Sequence, residues 1–140
     1  MDVKELMQKV VNLSFEEKVS VGKDALCETI DILKKHELKD DDIAPFIFAL
    51  VKLFVSADKK CSKDELNLVN AITDLNMSYD DFFDLTNNGS DPRFVTEFDE
   101  LIDTLEADEK SSICLFGLCI LAADDTITAQ EQQLFLRILN

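Results

Sequence analysis

Three glycines, two prolines and one histidine are all that 140 residues hold of these types. So few turn-forming residues argue against a loop-rich β protein, whose short strands are punctuated by Gly and Pro. The glycines are isolated, which removes both Gly-rich phosphate loops. The one histidine, His36, lies between Lys35 and Glu37, and this charged helix end reads as a surface position. No Ser, Cys or Lys has a recognisable base beside it in sequence, so an enzyme is the weakest reading. Positive charge is scarce as well: 14 Lys and Arg stand against 29 Asp and Glu, a net charge of −15. With no basic stripe to displace counterions, the chain is a poor match for nucleic acid and for an anionic membrane surface. Its acidity fits a solvated surface, a cation binder or a partner with a basic face.

Cys27, Cys61, Cys114 and Cys119 show neither metal nor redox spacing. Cys114 and Cys119 fall inside an apolar run and read as small hydrophobes. The opening residues, Met1-Asp2-Val3-Lys4-Glu5, lack the apolar region of an export signal. Free thiols without such a signal predict a cytoplasmic protein.

What the chain does have is a segment it contains twice. Residues 42–71 and 108–137 align without a gap, Asp58 falling on Asp124. Each copy carries an apolar run, then Ala-Asp, two polar residues, an apolar residue, Ser or Thr, and Glu three further on. The runs at 43–51 and 113–123 are apolar on nearly every face, which predicts buried helices. They are shorter than the roughly 20 residues of a membrane span. Asp42 and Asp108 are placed to cap these helices, which puts Pro45 in a first turn where its missing amide is harmless. Gly117 falls opposite Val51 and predicts a close helix crossing. Ser62-Lys63-Asp64-Glu65 and Thr128-Ala129-Gln130-Glu131 are capping boxes that open the second helices. Two copies imply a paired, pseudo-symmetric domain, since an open solenoid needs about three or more.

Elsewhere, Val3, Leu6, Val10 and Leu13 mark one face of a first helix. Ser14 opens a longer one, with Phe15, Val19, Gly22, Leu26, Ile30 and Leu33 as its face, and Gly22 leaves open whether this is one helix or two. Ser78 caps a helix holding Phe82, Phe83 and Leu85, and Asn87-Asn88-Gly89 ends it. Asp91-Pro92 restarts the chain as cap and first helical position. The reading is an all-α compact bundle of about eight helices with an internal pseudo-twofold repeat. It forms a single domain: 1–39 are N-terminal helices, 40–105 the first repeat and 106–140 a truncated second. At 46% hydrophobic residues the chain can bury a core.

The repeated Ala-Asp-x-x-apolar-Ser/Thr-x-x-Glu element, at 57–65 and 123–131, resembles the tellurite-resistance TerB-like family. The resemblance covers both copies and most of residues 40–140. It implies an all-helical fold, a role in stress-response assemblies, and a divalent-cation site at the motif acids. Those acids are Asp58 and Glu65 in the first copy, Asp124 and Glu131 in the second. The family has Gly after the motif Asp; this chain has Lys59 and Asp125. Lys59 brings a cation to the first half-site, whereas Asp125 adds a ligand to the second.

Two functions follow, from different classes. The preferred one is a non-enzymatic interaction domain with a protein partner, no nucleic-acid partner and no membrane insertion. The alternative is a divalent-cation protein in which Asp58, Glu65, Asp124, Asp125 and Glu131 share calcium or a similar ion, flexible carboxylate loops being what calcium favours. Neither copy has EF-hand spacing, and capping already accounts for Glu65 and Glu131. The capping reading therefore ranks first.

Overall fold

A computed structural model describes residues 3–57, 62–88, 91–122 and 128–139. Its helices are α1 (Val3–Val11), α2 (Phe15–Lys35), α3 (Asp40–Val55), α4 (Lys63–Thr73), α5 (Tyr79–Asn87), α6 (Pro92–Thr104), α7 (Ala107–Leu121) and α8 (Ala129–Leu139). No strand occurs among the described residues, so the chain is an all-α bundle. The aligned segments fall on α3 with α4 and on α7 with α8.

Side-chain caps fix most helix starts. Ser14 and Glu17 form a complete capping box, Glu17 N–H donating to Ser14 Oγ (3.2 Å) and Ser14 N–H to Glu17 Oε1 (3.0 Å). Ser78 Oγ accepts from Asp81 N–H (3.2 Å). Asp91 Oδ1 accepts from Arg93 N–H (2.9 Å), with Pro92 at the first helical position. Two starts differ from the sequence reading. α3 begins after Lys39 and α7 after Glu106, so Asp42 and Asp108 lie within first turns rather than at caps. In α3 the backbone has already turned by Asp42, whose N–H donates to Lys39 O (2.9 Å). Three aspartates then occupy the positive end of the helix dipole. This earlier start places Pro45 beyond the first turn, where its missing amide leaves the Asp41 carbonyl without a helical donor.

α7 is the central helix, packed against α1, α2, α3, α4 and α8, with its widest interface on α2. Of the two alternatives at Gly22, the single helix holds: α2 runs unbroken for 21 residues. Gly22 is instead a point of close approach, where an added Cβ would stand 2.5 Å from Ile72 Cδ1 and 3.2 Å from Cys119 Cβ. Gly117 likewise leaves room for the Phe54 ring of α3, which a Cβ would meet at 2.7 Å. That ring stacks on Phe135 (centroids 5.6 Å apart) and meets Phe116 edge-on (6.2 Å), and all three are fully buried. Lys18, 4% exposed, donates from Nζ to Ala122 O (2.7 Å) at the C-terminal end of α7. There its charge complements the helix dipole, and its ammonium is hydrogen-bonded although desolvated.

Two expected faces are rotated. On α2 the buried residues are Lys18, Gly22, Ala25, Thr29, Ile32 and Leu33, while Phe15 is exposed and Leu26 and Ile30 are half-buried at the edge. α3 is not buried all round: Ala44, Pro45 and Phe48 are exposed. Its neighbours α2, α5 and α7, with Phe94 and Phe98 of α6 and Phe135 of α8, cover the inner sides only, leaving an apolar ridge outside.

Candidate functional site

Of the five acids proposed for a cation, the structure places two. Glu65 and Glu131 are each 2% exposed at the third position of α4 and α8. Glu65 N–H donates to Ser62 Oγ (3.1 Å). Glu131 N–H donates to Thr128 Oγ1 (3.2 Å), and Glu131 Oε1 accepts from Thr128 N–H (2.9 Å), a complete capping box. Asp58, Asp124 and Asp125 lie outside the described residues. Among the described residues no group of three or more His, Cys, Asp or Glu is placed to hold a metal ion.

His36 is less exposed than its charged neighbours suggested. Its side chain is 22% exposed, with Nε2 3.5 Å from Glu109 Oε2. The spacing is that of a charge contact without hydrogen-bond alignment, and it is an ion pair only when the imidazole is protonated. Glu109 Oε1 accepts from Glu106 N–H (3.0 Å), and Lys35 Nζ stands 3.4 Å from its other oxygen. The Glu106 amide, then Lys35, hold the Glu109 carboxyl below its ordinary value. This cluster ties the end of α2 to the start of α7.

The thiols offer no nucleophile in the core. Burial pushes Cys119 up to about 12 and Cys114 higher still. Cys27 is exposed on α2, and Cys61 lies outside the described residues.

A surface the sequence did not reveal lies between α2 and α3. A groove of about 390 Å³ is lined by Leu26 and Ile30 of α2 and by Ile43, Ile47 and Phe48 of α3, closed at one side by Leu75. Phe48 is 44% exposed and Leu75 38%. Lys34 and Asp40 supply its charged groups. Beyond the ridge made by Phe48 and Leu75, a second depression of about 440 Å³ reaches Lys52, Asn76, Asp81 and Asp84. Leu75 sits in a pinned connection. Asp74 ends α4 in the left-handed conformation (φ 59°), and Asn70 then clamps Met77, donating from Nδ2 to Met77 O and accepting from Met77 N–H, both at 3.0 Å. The signal for this surface was present in the unbroken apolar run 43–51. Periodicity within one helix, however, does not say which face its neighbours leave uncovered.

No helix among the described residues is long and apolar enough to cross a membrane. No family model, curated protein or solved structure matches the chain.

Proposed function

We propose that this chain is a non-enzymatic, cytoplasmic TerB-like domain with two pseudo-twofold-related repeats, serving as a protein-interaction module in a stress-response assembly. The observation that carries the interaction reading is the groove between α2 and α3, with Phe48 and Leu75 exposed at its lip. Scattered surface hydrophobes need no explanation, but a contiguous apolar groove on so acidic a chain does. The pinned connection under Leu75 also supports a surface organised before binding, which lowers the ordering cost of association.

The test is in-cell photo-crosslinking from p-benzoylphenylalanine at position 48, with position 100 on the exposed side of α6 as control. A discrete protein adduct from position 48 and none from position 100 is the expected outcome. Equal labelling from both sites, or none from either, would remove the groove as a docking surface.

The alternative, a calcium-type cation protein using both acidic loops, is favoured by one observation: two carboxylates at matching positions, Glu65 and Glu131, are almost wholly buried. Ion binding to the folded state would raise thermal stability. Titration with calcium, magnesium, manganese and zinc on the parent, Asp58→Ala and Asp124→Ala chains checks this. A cation-specific rise that both variants abolish supports the reading; an unchanged midpoint with every ion leaves the two glutamates as capping residues.

A further inference from the structure

Resting on the groove as the docking surface, the geometry also specifies what should occupy it. Asp40, Ala44, Phe48 and Lys52 recur at four-residue spacing along the outer side of α3, a ridge of about 18 Å at 1.5 Å per residue. On one flank the surface is hydrocarbon, from Leu26, Ile30, Ile43 and Ile47. At the far end it turns polar and acidic, with Asp81 and Asp84 of α5 facing the second depression beside Lys52. Asp40, Asp81 and Asp84 enter none of the ion pairs of Lys23 with Asp74, of Lys35 and His36 with Glu109, or of Arg137 with Asp99. Asp81 and Asp84 are therefore available to a ligand at one end of an apolar trough, and Asp40 at the other.

We propose that the occupant is a cationic amphipathic helix of about three turns from a partner protein. Its apolar stripe fills the α2–α3 groove, and its Lys or Arg side chains, about one turn beyond, reach Asp81 and Asp84. Charge chooses among the occupants. A second copy would bring another chain of net charge −15 against this one, and an acidic peptide would meet the same repulsion, whereas a basic segment is steered in. Shape favours a helix, because the described residues offer no strand edge for an extended peptide to extend.

Three synthetic helical peptides of about 14 residues separate the terms. The first has a Leu stripe at i, i+3, i+4 and i+7 followed by Lys and Arg. The second keeps the stripe and ends in Glu, and the third keeps the basic end but has Gln in place of Leu. Fluorescence anisotropy with the full chain should show the first binding at least about ten-fold tighter than either of the others. Asp81→Asn with Asp84→Asn should erase its advantage over the second, while Glu97→Gln with Glu100→Gln, the same charge change on α6, should leave it in place. Circular dichroism verifies the fold of each variant, and loss of the preference at high salt in the parent reads the same electrostatics without mutation.

Each other outcome overturns the proposal. Equal binding of the first two peptides would keep the groove and discard its preference for positive charge. Equal binding of the first and third would reduce the effect to bulk attraction. No binding of any peptide, with the position 48 adduct still formed in cells, would keep the docking surface and reject this partner chemistry. A dimer of the free chain that Phe48→Asp dissociates would assign the groove to a second copy.

Discussion

α3 and α7 are written in nearly the same chemistry and meet different fates. Both open with acids and continue as apolar runs, and both precede a helix opened by a Ser or Thr cap. α7 is enclosed by five other helices, and from Ile113 to Leu121 only Leu115 is less than buried. α3 buries Leu50, Val51, Leu53, Phe54 and Val55 in its second half, yet leaves Ala44 and Phe48 outside. The same apolar excess is core in one helix and surface in the other. Local sequence does not decide between them; the sides on which neighbouring helices lie do. An apolar surface that no neighbour covers contributes little to stability, and the proposed docking rests on this surface of α3.

The comparison is broken most forcefully in α7. Phe116 lies fully buried against Phe54, so Phe116→Ala should cost about 3–5 kcal/mol in urea unfolding. If the cost were near zero, α7 would not be the centre of the core. Gly117→Ala comes next. Helix propensity favours Ala by about 1 kcal/mol, but the new methyl collides with a Phe54 ring that Phe116 and Phe135 hold in place. Overpacking of about 1–3 kcal/mol should prevail and lower the melting temperature. On α3 the aligned position is already Val51, a fully buried side chain.

A smaller effect separates the two helix starts. Glu109 has its folded-state carboxyl lowered, first by the Glu106 amide and then by Lys35. Its charged form therefore stabilises the fold above the ordinary carboxylate range, and that contribution disappears as pH falls through the lowered folded value. Glu109→Gln should be less stable than the parent near neutral pH, with the two stability curves converging on acidification. A gap that widened toward low pH would reverse the assigned sign. Asp42→Asn, in the first turn of α3, should show a smaller difference, because the Asp42 side chain caps nothing there.

Much of the fold was legible where a short polar side chain caps a helix. Ser14, Ser62, Ser78 and Asp91-Pro92 all mark starts, because each leaves a chemical signature in sequence. Lys39 and Glu106 are less usual caps, so the start of α3 was placed three residues late and that of α7 two. Gly22 was readable as exceptional, yet sequence alone does not separate a break from a close crossing; Ile72 and Cys119, distant in the chain, decide it. Glu65 and Glu131 were legible as partners of Ser62 and Thr128, and their amides are bonded accordingly. The groove was not legible, since it is assembled from α2, α3 and the connection carrying Leu75. Asp81 and Asp84 look in sequence like ordinary acids of an exposed helix.

The most direct test of the contrast is urea unfolding of Phe48→Ala beside Phe116→Ala. Fully burying a Phe side chain contributes roughly 1.5–3 kcal/mol by area, and Phe48 is only partly covered. With the helix-propensity gain of Ala as a partial offset, the expected loss for Phe48→Ala is below about 1 kcal/mol, far less than for Phe116→Ala. Equal losses from the two substitutions would make Phe48 part of the core, and α3 would have no apolar surface left to offer a partner.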